Sequence, residues 1–169
     1  RIIICWMSRE MRKQSVKYTQ KLEDDIKKKT SEIKKQKDTI ETLFEKSSDG
    51  ILIIEDGKFI QCNERNVEML HYHSKEDLLN TRPSELSPEF QPDGRRSDEK
   101  SEEMIALALE KGSHQFEWVH TKANGENFLA EITLTPIILN SRNVLHVVWR
   151  DISEKKKAQD ALIEQKDIL

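Results

Sequence analysis

Glycine, proline, cysteine and aromatic side chains are all scarce in this chain of 169 residues, which has five glycines, four prolines, two cysteines and 6% aromatics. So few glycines leave no room for a phosphate-cradling loop, and no P-loop, nucleophile-elbow or zinc-protease pattern occurs. Catalysis therefore has no candidate constellation. Cys5 and Cys62 stand far apart, with no CxxC and no histidine at metal spacing, which argues against a disulfide framework and a structural zinc site. A reducing compartment is the simplest setting. No apolar run approaches the roughly 20 residues that span a bilayer. Positive charge is not in excess either: the net charge is -3, so no basic field points to nucleic acid. The clusters Lys27–Lys29 and Lys155–Lys157 lie among Glu and Asp and read as solvated helix faces.

What is abundant is charge itself: 35% of residues are charged and 36% hydrophobic. Long solvated helices are the natural place for it. From Ser8 to Phe44 there is no glycine or proline, and Lys, Glu, Gln and Asp dominate. Ile26, Ile33 and Ile40 fall at heptad position a, and Leu22 and Leu43 at d, with Lys29 and Gln36 at the two d positions between them. Ile at a with Leu at d favours a parallel two-stranded coiled coil, and polar residues at d soften the seam. The alternative is a single charged helix, but a helix polar on most faces rarely stands alone. Ahead of it, Arg1-Ile-Ile-Ile-Cys-Trp-Met7 followed by Ser8-Arg9 and Arg12-Lys13 has the order of a membrane helix leaving the inner leaflet: apolar, aromatic, basic. It reads equally as the plain start of a helix.

Composition changes at Ser47-Ser48-Asp49-Gly50. Ile51–Ile54 is a short buried-strand run, Glu55-Asp56-Gly57 a hairpin turn and Lys58–Asn63 the returning strand. Val67, Leu70, Leu78 and Leu79 follow at helical spacing, with Ser74 as an N-cap and Glu76-Asp77 in the first turn. Pro83, Pro88 and Pro92 interrupt the chain. Ser97–Lys111 predicts an amphipathic helix that stops at Gly112. His114–Thr121 alternates, with Phe116, Trp118 and His120 on one face. After the Asn124-Gly125 turn, Phe128–Leu139 and Val144–Trp149 complete a meander. From Glu154 the chain is helical again, with Ala158, Leu162, Gln165 and Leu169 at seam spacing. The expected fold is α+β: a five-stranded antiparallel sheet, small helices on one face, a long N-terminal coiled-coil helix and a C-terminal exit helix. The expected segments are 1–44, 45–153 and 154–169.

This layout resembles a PAS domain of the S-box type over Leu43 to Glu154. Glu45-Lys-Ser-Ser-Asp-Gly-Ile-Leu-Ile-Ile54 is similar to the family's first strand, and Phe59-Ile-Gln-Cys-Asn63 to its second. Phe116-Glu-Trp118, Lys122–Glu126 and Glu131–Pro136 resemble the later strands. Arg150-Asp-Ile-Ser-Glu-Lys155 is similar to the family's Asp-Ile-Thr exit motif, with Ser153 replacing Thr. The resemblance implies a cytoplasmic part of an inner-membrane bacterial signalling protein. With the heptad line, the apolar-aromatic-basic start and the lack of a basic field, the expected partners are a second copy in a homodimer through parallel helices and a membrane anchor upstream, with no nucleic acid. The resemblance also implies that Asp151, Ser153 and Glu154 couple the sheet to the exit helix; the alternative is that Asp151 and Ser153 are only a helix cap. The tail is similar to linkers that precede diguanylate cyclase or histidine-kinase domains.

The resemblance leaves the cofactor open among a filled core with no ligand, a small organic ligand and a flavin. Haem is disfavoured because Ser97–Lys111 has no histidine, and photochemistry because Cys62 precedes Asn63 without the Arg context of the light-sensing relatives. A ligand would lie among Met104, Ala108, Phe116, Trp118, His120 and Ile132, with His120 or Arg150 meeting any charge.

Overall fold

A computed structural model describes residues 2–79 and 81–167. The chain divides into two compact units, one ending at Leu43 and the other beginning at Phe44. Leu169, the last expected seam position of the exit helix, lies outside the described residues, as does Arg1.

The first unit is one helix, α1 (Ile2–Glu45), whose last two residues belong to the second unit. The helix formers selected by composition carry it without a break. Thr19, Thr30, Thr39 and Thr42 each donate a hydroxyl hydrogen bond to the carbonyl four residues back, which removes their competition with the helical ladder. Leu22, Ile26, Ile33, Ile40 and Leu43 are all exposed, between 48% and 70%. No described helix is long and apolar enough to cross a membrane.

The second unit is built on an antiparallel sheet of five strands in the order β2-β1-β5-β4-β3. The strands are β1 (Gly50–Glu55), β2 (Lys58–Cys62), β3 (His114–Thr121), β4 (Asn127–Leu139) and β5 (Arg142–Asp151). The β1–β2 turn holds Asp56 and Gly57 at φ 49° and 75°, and the β4–β5 turn holds Asn140 and Ser141 at 50° and 63°. Both therefore take the mirror-image turn geometry that matches strand twist. One face of the sheet is covered by α2 (Glu64–Leu70), a 3-10 turn at Pro83–Leu86 and α3 (Ser97–Lys111), and the exit helix α4 spans Ser153–Asp167. α3 ends where Gly112 turns left-handed at φ 79°.

Leu52, Phe59, Leu70, Leu78, Leu86, Ala108, Ile132, Val147 and Trp149 fill the core, with Phe59 edge-on to Trp149 at 5.9 Å. Two expected details change. Asn63 leaves the strand and becomes the N-cap position of α2. The segment after Ser74 closes as a single turn, because Asp77 Oδ2 accepts both the Ser74 backbone N–H and its hydroxyl and Leu78 and Leu79 both donate to the Lys75 carbonyl.

Candidate functional site

Strand parity puts Trp118 and His120 of β3, Ile132 and Leu134 of β4, and Val147 and Trp149 of β5 on the covered face. Ser101, Met104 and Ile105 of α3 approach them from above. Between these layers lies an apolar cavity of about 40 Å³, lined also by Ile54, Phe59, Pro83 and Phe116. Met104, Phe116, Trp118, His120 and Ile132 thus meet as expected from the alternation. Ala108 is fully buried in the core but does not line the cavity.

Arg150 is not there. Inward-facing Trp149 forces its neighbour to the opposite face, where the Arg150 guanidinium bonds both Asp49 carboxylate oxygens at 3.2 and 2.7 Å. Glu131 lies 3.6 Å from it, and with Asp49 holds the Arg150 pKa above its usual value.

The cavity wall is held by polar side chains. Trp118 Nε1 donates to Ser87 Oγ at 2.9 Å, and Ser87 in turn donates to the Pro83 carbonyl. Gln91 is buried; its amide nitrogen donates to the Val119 carbonyl and to Ser97 Oγ, while its oxygen accepts the Val119 N–H. These bonds tie the proline-broken segment 83–97 to β3. His120 Nδ1 lies 3.1 Å from the Leu86 carbonyl. A carbonyl only accepts, so Nδ1 carries the proton and Nε2 is a bare acceptor. Among the described residues that acceptor has no partner. The ring stacks on Trp149 at 3.8 Å. Complete burial pushes the imidazole pKa down to about 3, only partly opposed by the bond to Leu86.

Two junctions flank this interior. At the first, Asn63 is fully buried and every polar atom of its side chain is used. Its oxygen accepts the Ile51 N–H at 3.0 Å, and its nitrogen donates to the carbonyls of Phe44 and Asp49, each at 3.0 Å. Glu45 accepts the Glu64 N–H at 3.0 Å and pairs with Lys75. Gly50 lies against Asn66, and a Cβ here would come within 2.5 Å of the Asn66 side-chain nitrogen, so any larger residue requires that side chain to move. At the second junction Asp151 Oδ1 accepts the Ser153 N–H at 2.9 Å, and Ser153 Oγ accepts the Leu129 N–H at 3.2 Å. Glu154, the third expected relay residue, is exposed and pairs with Lys157.

Sequence reasoning missed Gln91 and the carbonyl of Leu86. Gln91 lies in no periodic element, and Leu86 ends a 3-10 turn of four residues, too short for a spacing to mark it. Cys62 is buried, and burial pushes its thiol up to about 11, so it behaves as a small apolar side chain. No cluster of metal-ligating side chains occurs among the described residues. Trp118, Trp149 and Phe59 fill much of the interior beside this cavity.

The family described as PAS domain matches residues 48–154, and the chain belongs to it. PAS domains are sensory modules of signalling proteins, generally without catalysis of their own. No curated protein matches the chain. Among solved structures it is similar to the PAS domain of an HTR-like protein from Haloarcula marismortui, at 21% identity and TM-score 0.60, covering 75% of this chain and 99% of that one. It is also similar to a PAS domain from a two-component sensor histidine kinase, at 19% identity and TM-score 0.57, over 72% and 98% of the two chains. A third is the PAS domain of nitrogen regulation protein NR(II) from Vibrio parahaemolyticus, at 17% identity and TM-score 0.54, over 66% and 96%. These likenesses establish the fold.

Proposed function

We propose that the chain is a sensor and relay segment that passes a signal through paired helices to a downstream output domain, a histidine kinase or a diguanylate cyclase. In this reading it is the cytoplasmic portion of an inner-membrane protein, and α1 pairs with α1 of a second copy in parallel. The observation that carries the proposal is the Asp49–Arg150 pair. Asp49 sits in the turn that follows Phe44 and Glu45, and Arg150 lies one residue before the Asp151–Ser153 cap of α4. Asn63 ties the Phe44 carbonyl to the same turn. A displacement of the incoming chain is therefore delivered to the start of the outgoing helix through bonded side chains.

Support for pairing comes from the exposed heptad line of Leu22, Ile26, Ile33, Ile40 and Leu43. Lys29 and Gln36 interrupt it and weaken the seam there, and a switch needs packing that can rearrange. In the intact receptor, Lys29→Leu with Gln36→Leu is expected to strengthen the dimer and fix output at one level. Unchanged output together with unchanged dimer stability contradicts the relay. A passive dimerisation module, the competing reading, keeps normal regulation when Arg150→Gln breaks the pair to Asp49; the relay does not.

A further inference from the structure

N-terminal to Leu22 the apolar residues of α1 do not stop; they change phase. The helix is continuous from Ile2 to Glu45, so its faces can be followed residue by residue at 3.6 per turn. Met7, Met11 and Tyr18 are each more than half exposed. With Gln14 among them they are spaced by four, three and four residues, the alternation of a heptad seam. From Tyr18 the next steps are four to Leu22 and four to Ile26. After Ile26 the line through Lys29, Ile33, Gln36, Ile40 and Leu43 returns to the alternation of three and four. Two successive steps of four are a stutter, four residues inserted into the heptad, and they spread the eleven residues from Tyr18 to Lys29 over three turns.

We infer that the pairing surface of α1 runs along this whole line from Met7 to Leu43, that its occupant is the same surface of a second copy in parallel, and that the pair is locally unwound between Tyr18 and Lys29. The inference rests on the pairing of α1 proposed above and adds to it the N-terminal surface and the change of phase.

Carrying the Leu22–Leu43 heptad towards the N-terminus without a stutter gives a poor seam. It puts Arg12 and Thr19 at a, Ser8 and Ser15 at d, and leaves Met11 and Tyr18 beside the contact. An arginine at a would lose water with no carboxylate on the seam to pair it. With the stutter, Arg9, Arg12 and Lys13 fall at f, b and c, on the side away from the partner, where their charge stays hydrated. Length points the same way. Leu22 to Leu43 is three heptads with polar residues at two of its d positions, about the fewest that define a coiled coil. Starting at Met7 lengthens the seam from about 32 Å to about 54 Å, at 1.5 Å per residue. Charge favours a parallel second copy, because Glu32 at g then comes opposite Lys37 at e of the other helix.

The test is disulfide trapping in the whole chain, with Cys5→Ser and single cysteines introduced along α1. Buried Cys62 is kept, and the Cys5→Ser protein is the blank. Only seam positions bring two Cα atoms within the roughly 7 Å that a disulfide spans. After mild oxidation, Met11→Cys and Tyr18→Cys are expected to give at least about fivefold more covalent dimer than Arg12→Cys, Ser15→Cys and Thr19→Cys. Ile33→Cys, which reports the C-terminal half of the seam alone, is expected to be trapped as well. Equal trapping in the two N-terminal sets, or more in the second, with Ile33→Cys trapped, overturns the inference and leaves the pairing standing. No trapping at Ile33→Cys removes the pairing and the inference with it. Sedimentation equilibrium gives an independent readout. Met11→Lys with Tyr18→Lys is expected to weaken the dimer at least about tenfold, and Arg12→Ala with Thr19→Ala less than about twofold. An unchanged dimer in the first of these variants overturns the inference.

Discussion

The two units of this chain treat their side chains in opposite ways. In the second unit most large apolar groups are inside, with Ile60, Phe90, Leu109, Ile138, Leu162 and Ile163 among the exceptions, and the buried polar ones are mostly paired; in α1 the apolar groups Leu22, Ile26, Ile33, Ile40 and Leu43 are all on the surface. The first arrangement has a core of its own. The second gains nothing from its isoleucines until another surface covers them, at about 25 cal/mol per Å² of apolar area removed from water. The same residue type thus reports stability in one unit and association in the other.

The sharpest way to break this contrast is to truncate a large side chain in each unit. Trp149→Ala is expected to cost about 4 kcal/mol in urea unfolding of the second unit, as for other buried aromatics. Ile33→Ala is expected to leave that transition in place and to change only the concentration dependence of self-association. Next in size is Asn63→Ala, which leaves the Ile51 N–H and the carbonyls of Phe44 and Asp49 without their partner. About 3 kcal/mol of unfolding free energy should be lost, measured by the urea midpoint.

A third effect depends on pH. His120 stays neutral in the folded state down to about 3, whereas an unfolded histidine takes up a proton below about 6.5. The unfolded state therefore binds more protons between these values, and stability must fall as pH falls. From pH 7 to 5 the loss is expected to be about 2 kcal/mol, at roughly 1.4 kcal/mol per unit below 6.5. Partly buried His146 acts with the same sign, since burial lowers its pKa too. His120→Phe is expected to lose most of this slope. A pH-independent urea midpoint in the wild type over that range contradicts the burial of a neutral imidazole.

Much of the fold is legible in the sequence because local signals and tertiary burial agree. Ser97–Lys111 and His114–Thr121 begin and end where Gly112 and the alternation place them. The inward set of Met104, Phe116, Trp118, His120 and Ile132 follows from parity and helical spacing. Parity also sends Arg150 outward once Trp149 is inside; considering Arg150 for its charge alone obscured that. The clamp on the cavity was not legible. Its partners are the Leu86 carbonyl at the end of a short 3-10 turn, Ser87 and Gln91, in a stretch where backbone path rather than residue type decides which group is presented. The bare state of His120 Nε2 is likewise a property of one carbonyl 34 residues away.

The relay reading stands on the pairing of α1 with a second copy, and the solution mass of the chain tests it most directly. Sedimentation equilibrium across a range of concentrations is expected to give a dimer that Ile33→Lys converts to a monomer, with the folding of residues 44–167 unaffected. A wild-type protein that remains monomeric at every concentration contradicts the account.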